Sequence, residues 1–331
     1  MGNAAIYYVS IECAAVTGST RIGIADHRRI LAAVQNWRGQ PMALATVTQT
    51  WRSAPCPVGT HLLVRQGGDF VGSVSGGCVE GDILALANEI IAGAPAQERR
   101  YGIADAAAWA VGLPCGGDIV VMVQPVTDAG FAPALFDAIL SARASGETLL
   151  IATDILSGHS SRVKTAIDAP FVNVYAPPRR MLIVGAVEIA VSLAAFAQQL
   201  GLDVIVIDPR AHFLTEARFP RVTLDDRWPD VAVAALRPDS QTAVVTLSHD
   251  PKIDDPALIA ALNTPAAYIG ALGSRASHAA RTARLGALGV TPAAVARIEG
   301  PAGVAINAIN ASEIALSIAA AAVRSFNDGL R

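Results

Sequence analysis

From Arg180 onward the chain alternates short apolar runs with helix-length segments, and that rhythm admits few folds. Met181–Val184 reads as a buried strand, Val187–Leu200 as a helix and Val204–Ile207 as a second strand. Further strands are expected at Thr242–Leu247 and Ala266–Ile269, with helices at Asp255–Leu262 and Ser274–Leu288. Asn310-Ala-Ser-Glu313 is a capping-box-like start for a last helix reaching Phe326. A parallel strand pair needs a helical crossover, so this order implies a Rossmann-like, doubly wound parallel sheet.

The upstream half lacks that alternation. A helix is expected over His27–Trp37, with Ile30, Leu31, Val34 and Trp37 on one face. Strand signals follow at Ala43–Thr48, His61–Val64, Ile119–Gln124, Thr148–Thr153 and Arg162–Ala166, with helical stretches at Val79–Ile91 and Phe131–Ala144 between them. Such a mixture predicts an α+β domain. The expected organisation is an N-terminal extension over 1–25, the α+β domain over 26–174, a proline-containing linker over 175–180 and the Rossmann-like domain over 181–331. The fold class is therefore α/β, in two domains.

Composition removes several classes of function. Hydrophobic residues make up 52% of the 331, but aromatics only 5%, so the mean hydropathy of +0.42 reflects alanine. No uncharged, unbroken run reaches the roughly 18 apolar residues of a membrane span. A net charge of −3 gives no basic footprint for nucleic acid. Four cysteines without CxxC spacing suit reduced thiols in a cytoplasm better than a disulfide framework or structural zinc.

The nucleotide-binding turn is incomplete. In Gly185-Ala-Val187-Glu188-Ile-Ala190, the glycine and Ala190 fit a dinucleotide fingerprint. Val187 would crowd the pyrophosphate approach, and Glu188 puts negative charge at the same helix start. Asp208 ends the second strand where a ribose-binding carboxylate belongs, or it caps the turn before Pro209. A working NAD(P) site is disfavoured. Two further segments should reach the carboxyl edge of the sheet, where ligands of such folds collect. They are Ser248-His249-Asp250 and Gly270-Ala-Leu-Gly273-Ser274-Arg275. Ser274 could cap the next helix, leaving its amides and Arg275 for an anion, or Arg275 is simply solvated.

Two glycine-and-cysteine loops carry the remaining chemistry. Gly72-Ser-Val-Ser75-Gly76-Gly77-Cys78-Val-Glu80 leads into a helix, so its amides should form an anion cradle, and a thiol at a helix start is favoured as thiolate. Glu80 reads as a first-turn carboxylate. Gly112-Leu-Pro-Cys115-Gly116-Gly117-Asp118 repeats the pairing of thiol with flexible backbone. Cys78 and Cys115 are either small buried hydrophobes or, if the loops meet, two soft ligands on one pocket. Cys56 and Cys13 read as incidental.

Read together, these blocks resemble the xanthine dehydrogenase accessory family of XdhC/CoxI type. The resemblance rests on Ala43–Val47, Pro57-Val-Gly59, Gly72–Glu80, Trp109–Gly117, Val206-Ile-Asp-Pro-Arg210, Thr246–Lys252 and Tyr268–Arg275, in that order. It implies a chaperone without turnover of its own, which binds the molybdenum cofactor as molybdopterin or its cytosine dinucleotide. It also implies help to a cysteine desulfurase in sulfurating the metal, and delivery to the large subunit of a molybdenum hydroxylase. Cys78 and Cys115 would then face the molybdenum. Ser75, Gly76, Gly77, Glu80, Gly116 and Gly117 would hold the cofactor in the first domain, and Gly185, Asp208, His249, Gly273, Ser274 and Arg275 in the second. A homodimer would suit such a handover, although no residue pattern requires one. Departures from the family are Glu188, where histidine is common, and Ala305 and Asn307, where an acid and a glycine are usual. The alternatives are an NAD(P)-dependent oxidoreductase and a persulfide or thiol-redox carrier.

Overall fold

The computed structural model describes residues 21–24, 27–51, 54, 56–102, 117–166 and 169–328. The chain divides into two compact units at Pro177 and Pro178.

The N-terminal unit runs β1 (Arg21–Ile24), α1 (Arg28–Asn36), β2 (Met42–Trp51), β3 (His61–Arg65), β4 (Phe70–Gly72), α2 (Glu80–Ile91), β5 (Gln97–Tyr101) and β6 (Asp118–Pro125). It continues with α3 (Pro133–Ser145), β7 (Leu149–Thr153), β8 (Ser160–Val163) and β9 (Phe171–Tyr175). An antiparallel sheet takes the order β4-β3-β2-β6-β5, and a second sheet the order β1-β9-β7-β8. Arg21–Ile24, within the expected extension, pairs in parallel with β9.

The period-two alternation of β2 explains why its sheet is covered on both sides. Ala43, Ala45 and Val47 face α2, while Met42 and Leu44 pack with Ile30, Leu31 and Val34 of α1 and with α3. With both faces covered, every residue of Ala43–Val47 is buried, and the strand reads as a continuous run rather than an amphipathic one. The expected strand at Arg162–Ala166 is instead Ser160–Val163, which reaches β7 with Ser160 opposite Thr153.

The C-terminal unit comprises β10 (Arg180–Val184), α4 (Glu188–Gln199), β11 (Asp203–Ile207), β12 (Thr223–Asp225), α5 (Pro229–Leu236), β13 (Thr242–Thr246), α6 (Pro251–Leu262), β14 (Tyr268–Ala271), α7 (Arg275–Ala287), α8 (Pro292–Val295), β15 (Ile298–Glu299) and α9 (Ala311–Asp328). All neighbouring strands are parallel, in the order β12-β11-β10-β13-β14-β15. This is the doubly wound Rossmann order. Met181 and Ile183 enter the core beneath α4 and α9, and Leu182 and Val184 the core beneath α5, α6 and α7. Each is fully buried, and such side chains contribute about 1.5–3 kcal/mol apiece.

Two boundaries differ from expectation. Helix α6 begins at Pro251 rather than Asp255, because Asp250 caps it by accepting from the Lys252 amide. Strand β14 begins at Tyr268 rather than Ala266, its register being set by Ala243↔Tyr268. Among the described residues no helix is long and apolar enough to cross a membrane.

Candidate functional site

In the N-terminal unit, β4 hands the chain to the first glycine loop at Gly72. Its φ is +97°, and a Cβ there would fall 2.3 Å from the His61 carbonyl oxygen, so glycine alone fits. The loop then turns through Gly76 and Gly77, both at positive φ and both exposed, into α2. Glu80 is buried at the start of that helix, and its carboxylate reaches back over the loop. Oε1 accepts from the Ser73 hydroxyl (2.5 Å) and from the amides of Val74 (3.1 Å) and Ser75 (2.9 Å). Oε2 accepts from the Ser75 hydroxyl and the Gly77 amide (2.8 Å). Burial opposes ionisation, but the serine hydroxyls and the Ser75 amide outweigh it and bring Glu80 down to about 2. The anion cradle expected from the sequence is thus filled by the chain's own carboxylate. The Gly76 amide is directed elsewhere, to Ser73 Oγ at 2.8 Å.

Cys78 is half-buried where loop becomes helix, and packs against the core beneath α2. Cys56, read as incidental, also lies against this loop: its thiol donates to the Ser73 carbonyl at 3.8 Å. Burial, and then the Glu80 charge, push that thiol up. Nothing in the local sequence of Cys56 signals this contact, which β-sheet pairing creates. Cys115 and Gly116 lie outside the described residues. Gly117 is buried just before β6. Its neighbourhood is tied to α2 through Tyr101, which lies opposite Ile119 and whose hydroxyl donates to Asp82.

A second polar group in this unit escaped sequence reasoning. His61 is buried, with Nδ1 2.9 Å from Thr46 Oγ1 and Nε2 2.9 Å from the Tyr175 hydroxyl. The Asn173 side-chain amide donates to the Gly59 carbonyl (3.3 Å), which can only accept, and lies 3.0 Å from His61 Nε2. Nε2 thus lies between the Tyr175 hydroxyl and the Asn173 amide, with Nδ1 beside Thr46. Burial, reinforced by His27, holds His61 well below the ordinary imidazole range. A histidine within an apolar strand was the available signal.

In the C-terminal unit the dinucleotide-like turn is also closed by an acid. Gly185 has φ +100°, and a Cβ there would lie 2.7 Å from the Ser248 amide nitrogen. Asp208 is fully buried and accepts from the Ala186 amide (2.8 Å) and from Arg210 through its amide (2.9 Å), Nε (2.9 Å) and Nη2 (2.8 Å). Burial works against the charged form, and the Arg210 and Ala186 bonds more than offset it, so Asp208 stays below its ordinary value. Val187 is partly buried against the core beneath α4 and α9.

The other two edge segments converge on α6 and α7. His249 is exposed at φ +62°, and its amide donates to Asp254 Oδ2 at 3.1 Å. Ser248 donates through its hydroxyl (2.7 Å) and amide (3.3 Å) to Asp254 Oδ1. Gly273 has φ +142°, Ser274 caps α7 by accepting from the Ser277 amide at 3.1 Å, and Arg275 is exposed on the first turn. The buried cation of this edge is not Arg275 but Arg281, which the sequence did not single out.

Comparisons with known proteins match both units. A family model described as the XdhC Rossmann domain matches residues 181–321, and one described as the XdhC and CoxI family matches residues 37–102. The chain is 30% identical over 253 residues to the molybdenum cofactor insertion chaperone PaoD of Escherichia coli (strain K12), across 75% of this chain and 73% of PaoD. The chain belongs to the XdhC/CoxI family. A second relative, from Bacillus subtilis (strain 168), is described as a probable xanthine dehydrogenase subunit; it is 26% identical over 264 residues, 70% of this chain and 79% of that protein. The fold matches a crystal structure described as a xanthine dehydrogenase from Bacillus halodurans, with a TM-score of 0.77 and 23% identity, covering 90% of this chain and 95% of that one. The departures from the XdhC/CoxI pattern are on the surface. Glu188, Ala305 and Asn307 are exposed, and Asn307 at φ +56° adopts the left-handed conformation that the usual glycine takes freely.

Proposed function

We propose that this protein is a molybdenum cofactor insertion chaperone: it binds the finished pterin cofactor and hands it to an apo-enzyme without turnover of its own. The observation that carries this reading is the 30% identity to PaoD across about three quarters of both chains. The site chemistry agrees with it. Cys78 sits half-buried on a loop already ordered by Glu80, so a soft metal–sulfur centre meets a thiol on pre-set backbone. Cys115 would supply a second thiol. The finer parts of the proposal are a xanthine dehydrogenase-type client, a cysteine desulfurase that sulfurates the bound cofactor, and a cytosine dinucleotide form of the cargo.

The nicotinamide alternative draws no support from the geometry, since the carboxylate that would take a ribose hydroxyl is bonded to Ala186 and Arg210. The test is binding of intact molybdenum cofactor to anaerobically purified protein, wild type and Cys78→Ala. Tight binding weakened at least tenfold by the substitution is expected. No binding by the wild type would overturn the chaperone reading.

A further inference from the structure

At the carboxyl edge of the parallel sheet, two buried donors on one face of the sheet lack partners. Arg281 is 4% exposed, and its Nε and Nη1 have no acceptor. Thr246, at the end of β13, is fully buried, and its hydroxyl is likewise unbonded. Thr246 shares its side of the sheet with Val244, and Ala271 and Leu285 belong to the same core cluster. Arg281 projects back along α7 toward the helix start, where Nη2 donates to the Leu272 carbonyl at 2.8 Å. Leu272 in turn donates its amide to the Thr246 carbonyl at 2.9 Å. Leu272 therefore links the guanidinium, at the N-terminal end of α7, to the backbone of Thr246, whose side chain lies on the face of the sheet that α6 and α7 cover.

The charges that act on Arg281 are the buried Asp254 and Asp255 and the neighbouring Arg284. The first turn of α7 contains no acid, and its leading amides have no carbonyl behind them. Neither acid bonds to the guanidinium: Asp254 accepts from Ser248 and His249, and Asp255 from Arg284. Burial weighs against the charged form of Arg281, and an incoming anion would favour it.

We propose that Arg281, Thr246 and the first turn of α7 form a subsite for a phosphoryl group. The identity of its bearer rests on the proposed function: the ester phosphate of the pterin cargo, or the pyrophosphate of its nucleotide form. The subsite lies on the face of the sheet that α6 and α7 cover, whereas the Gly185 turn leads into α4.

The experiment titrates inorganic phosphate, then pyrophosphate, into the full chain at ionic strength matched with chloride, read by phosphorus NMR line width and thermal midpoint. Saturable binding by the wild type is expected. Kd should rise about tenfold or more in Arg281→Met and about threefold in Thr246→Val, and change less than about twofold in Arg275→Ala. Absence of saturable binding, or an unchanged Kd in Thr246→Val and Arg281→Met, overturns the subsite. Thr246→Val decides the matter if Arg281→Met does not fold. Tighter binding of pyrophosphate than of phosphate assigns the site to the nucleotide form, and equal binding to the monoester. Cofactor binding measured on the same preparations separates the two proposals. Cofactor bound with phosphate binding indifferent to Arg281 sinks the subsite alone, and phosphate bound through Arg281 without cofactor sinks the chaperone reading alone.

Discussion

Ser75 gives both its amide and its hydroxyl to the carboxylate of Glu80, so helix α2 closes the loop that leads into it. The same device recurs in the other unit, where Ser248 gives amide and hydroxyl to Asp254 in the first turn of α6. In each case the acid does what a bound anion would do for the backbone. Each loop is tied down by these bonds without a ligand.

Replacing Glu80 with glutamine puts an amide group among five donors. We expect Glu80→Gln to lower the stability of the N-terminal unit by about 2 kcal/mol, measured by urea unfolding. Because Glu80 titrates at about 2 when folded and near 4.5 otherwise, its contribution is complete above about pH 4.5 and fades as pH falls toward 2. The variant should show a flatter acid limb than the wild type.

Cys56 should react slowly with iodoacetamide, since burial and the Glu80 charge both disfavour its thiolate. Removing that charge in Glu80→Gln is expected to speed its alkylation severalfold. Peptide mass spectrometry after timed quenching would show it, and an unchanged rate would mean that Glu80 does not act on the thiol.

His61 is neutral when folded, so the sign is that of a depressed histidine. Stability is full above the unfolded value near 6.5 and is lost as pH falls below it. Urea midpoints should drop between about pH 7 and pH 5 in the wild type, and the drop should be smaller in His61→Gln. Equal slopes in the two proteins would count against a buried neutral imidazole.

Gly185 cannot accept a side chain at φ +100° against the Ser248 amide. Gly185→Ala is expected to destabilise the C-terminal unit by about 2 kcal/mol or more, seen as a lowered thermal transition. An unshifted transition would show that the turn relaxes away from Ser248.

The parallel sheet was legible because its strands are buried on both faces and read as unbroken apolar runs, as in Met181–Val184. Strand β5, Gln-Glu-Arg-Arg-Tyr, was not, because an edge strand paired only with β6 carries charge where an interior one carries valine. The glycine loop was visible from Gly72–Glu80, but its amides were assigned to a ligand when Glu80 takes them. That choice depends on a side chain folding back, which spacing alone does not report. Arg281 was missed for a related reason: on a helix face it looks like any solvated arginine, and only the fold, which brings it to the Leu272 carbonyl, makes it a buried cation.

A cell holds millimolar concentrations of phosphate esters that would crowd any open nest of amides. At the Cys78 loop any such visitor would have to displace a carboxylate that stays ionised down to about pH 2. On the proposed chaperone reading, selection at this loop would fall to the Cys78 sulfur, and scarcity of cargo amid abundant lookalikes would cease to be an obstacle.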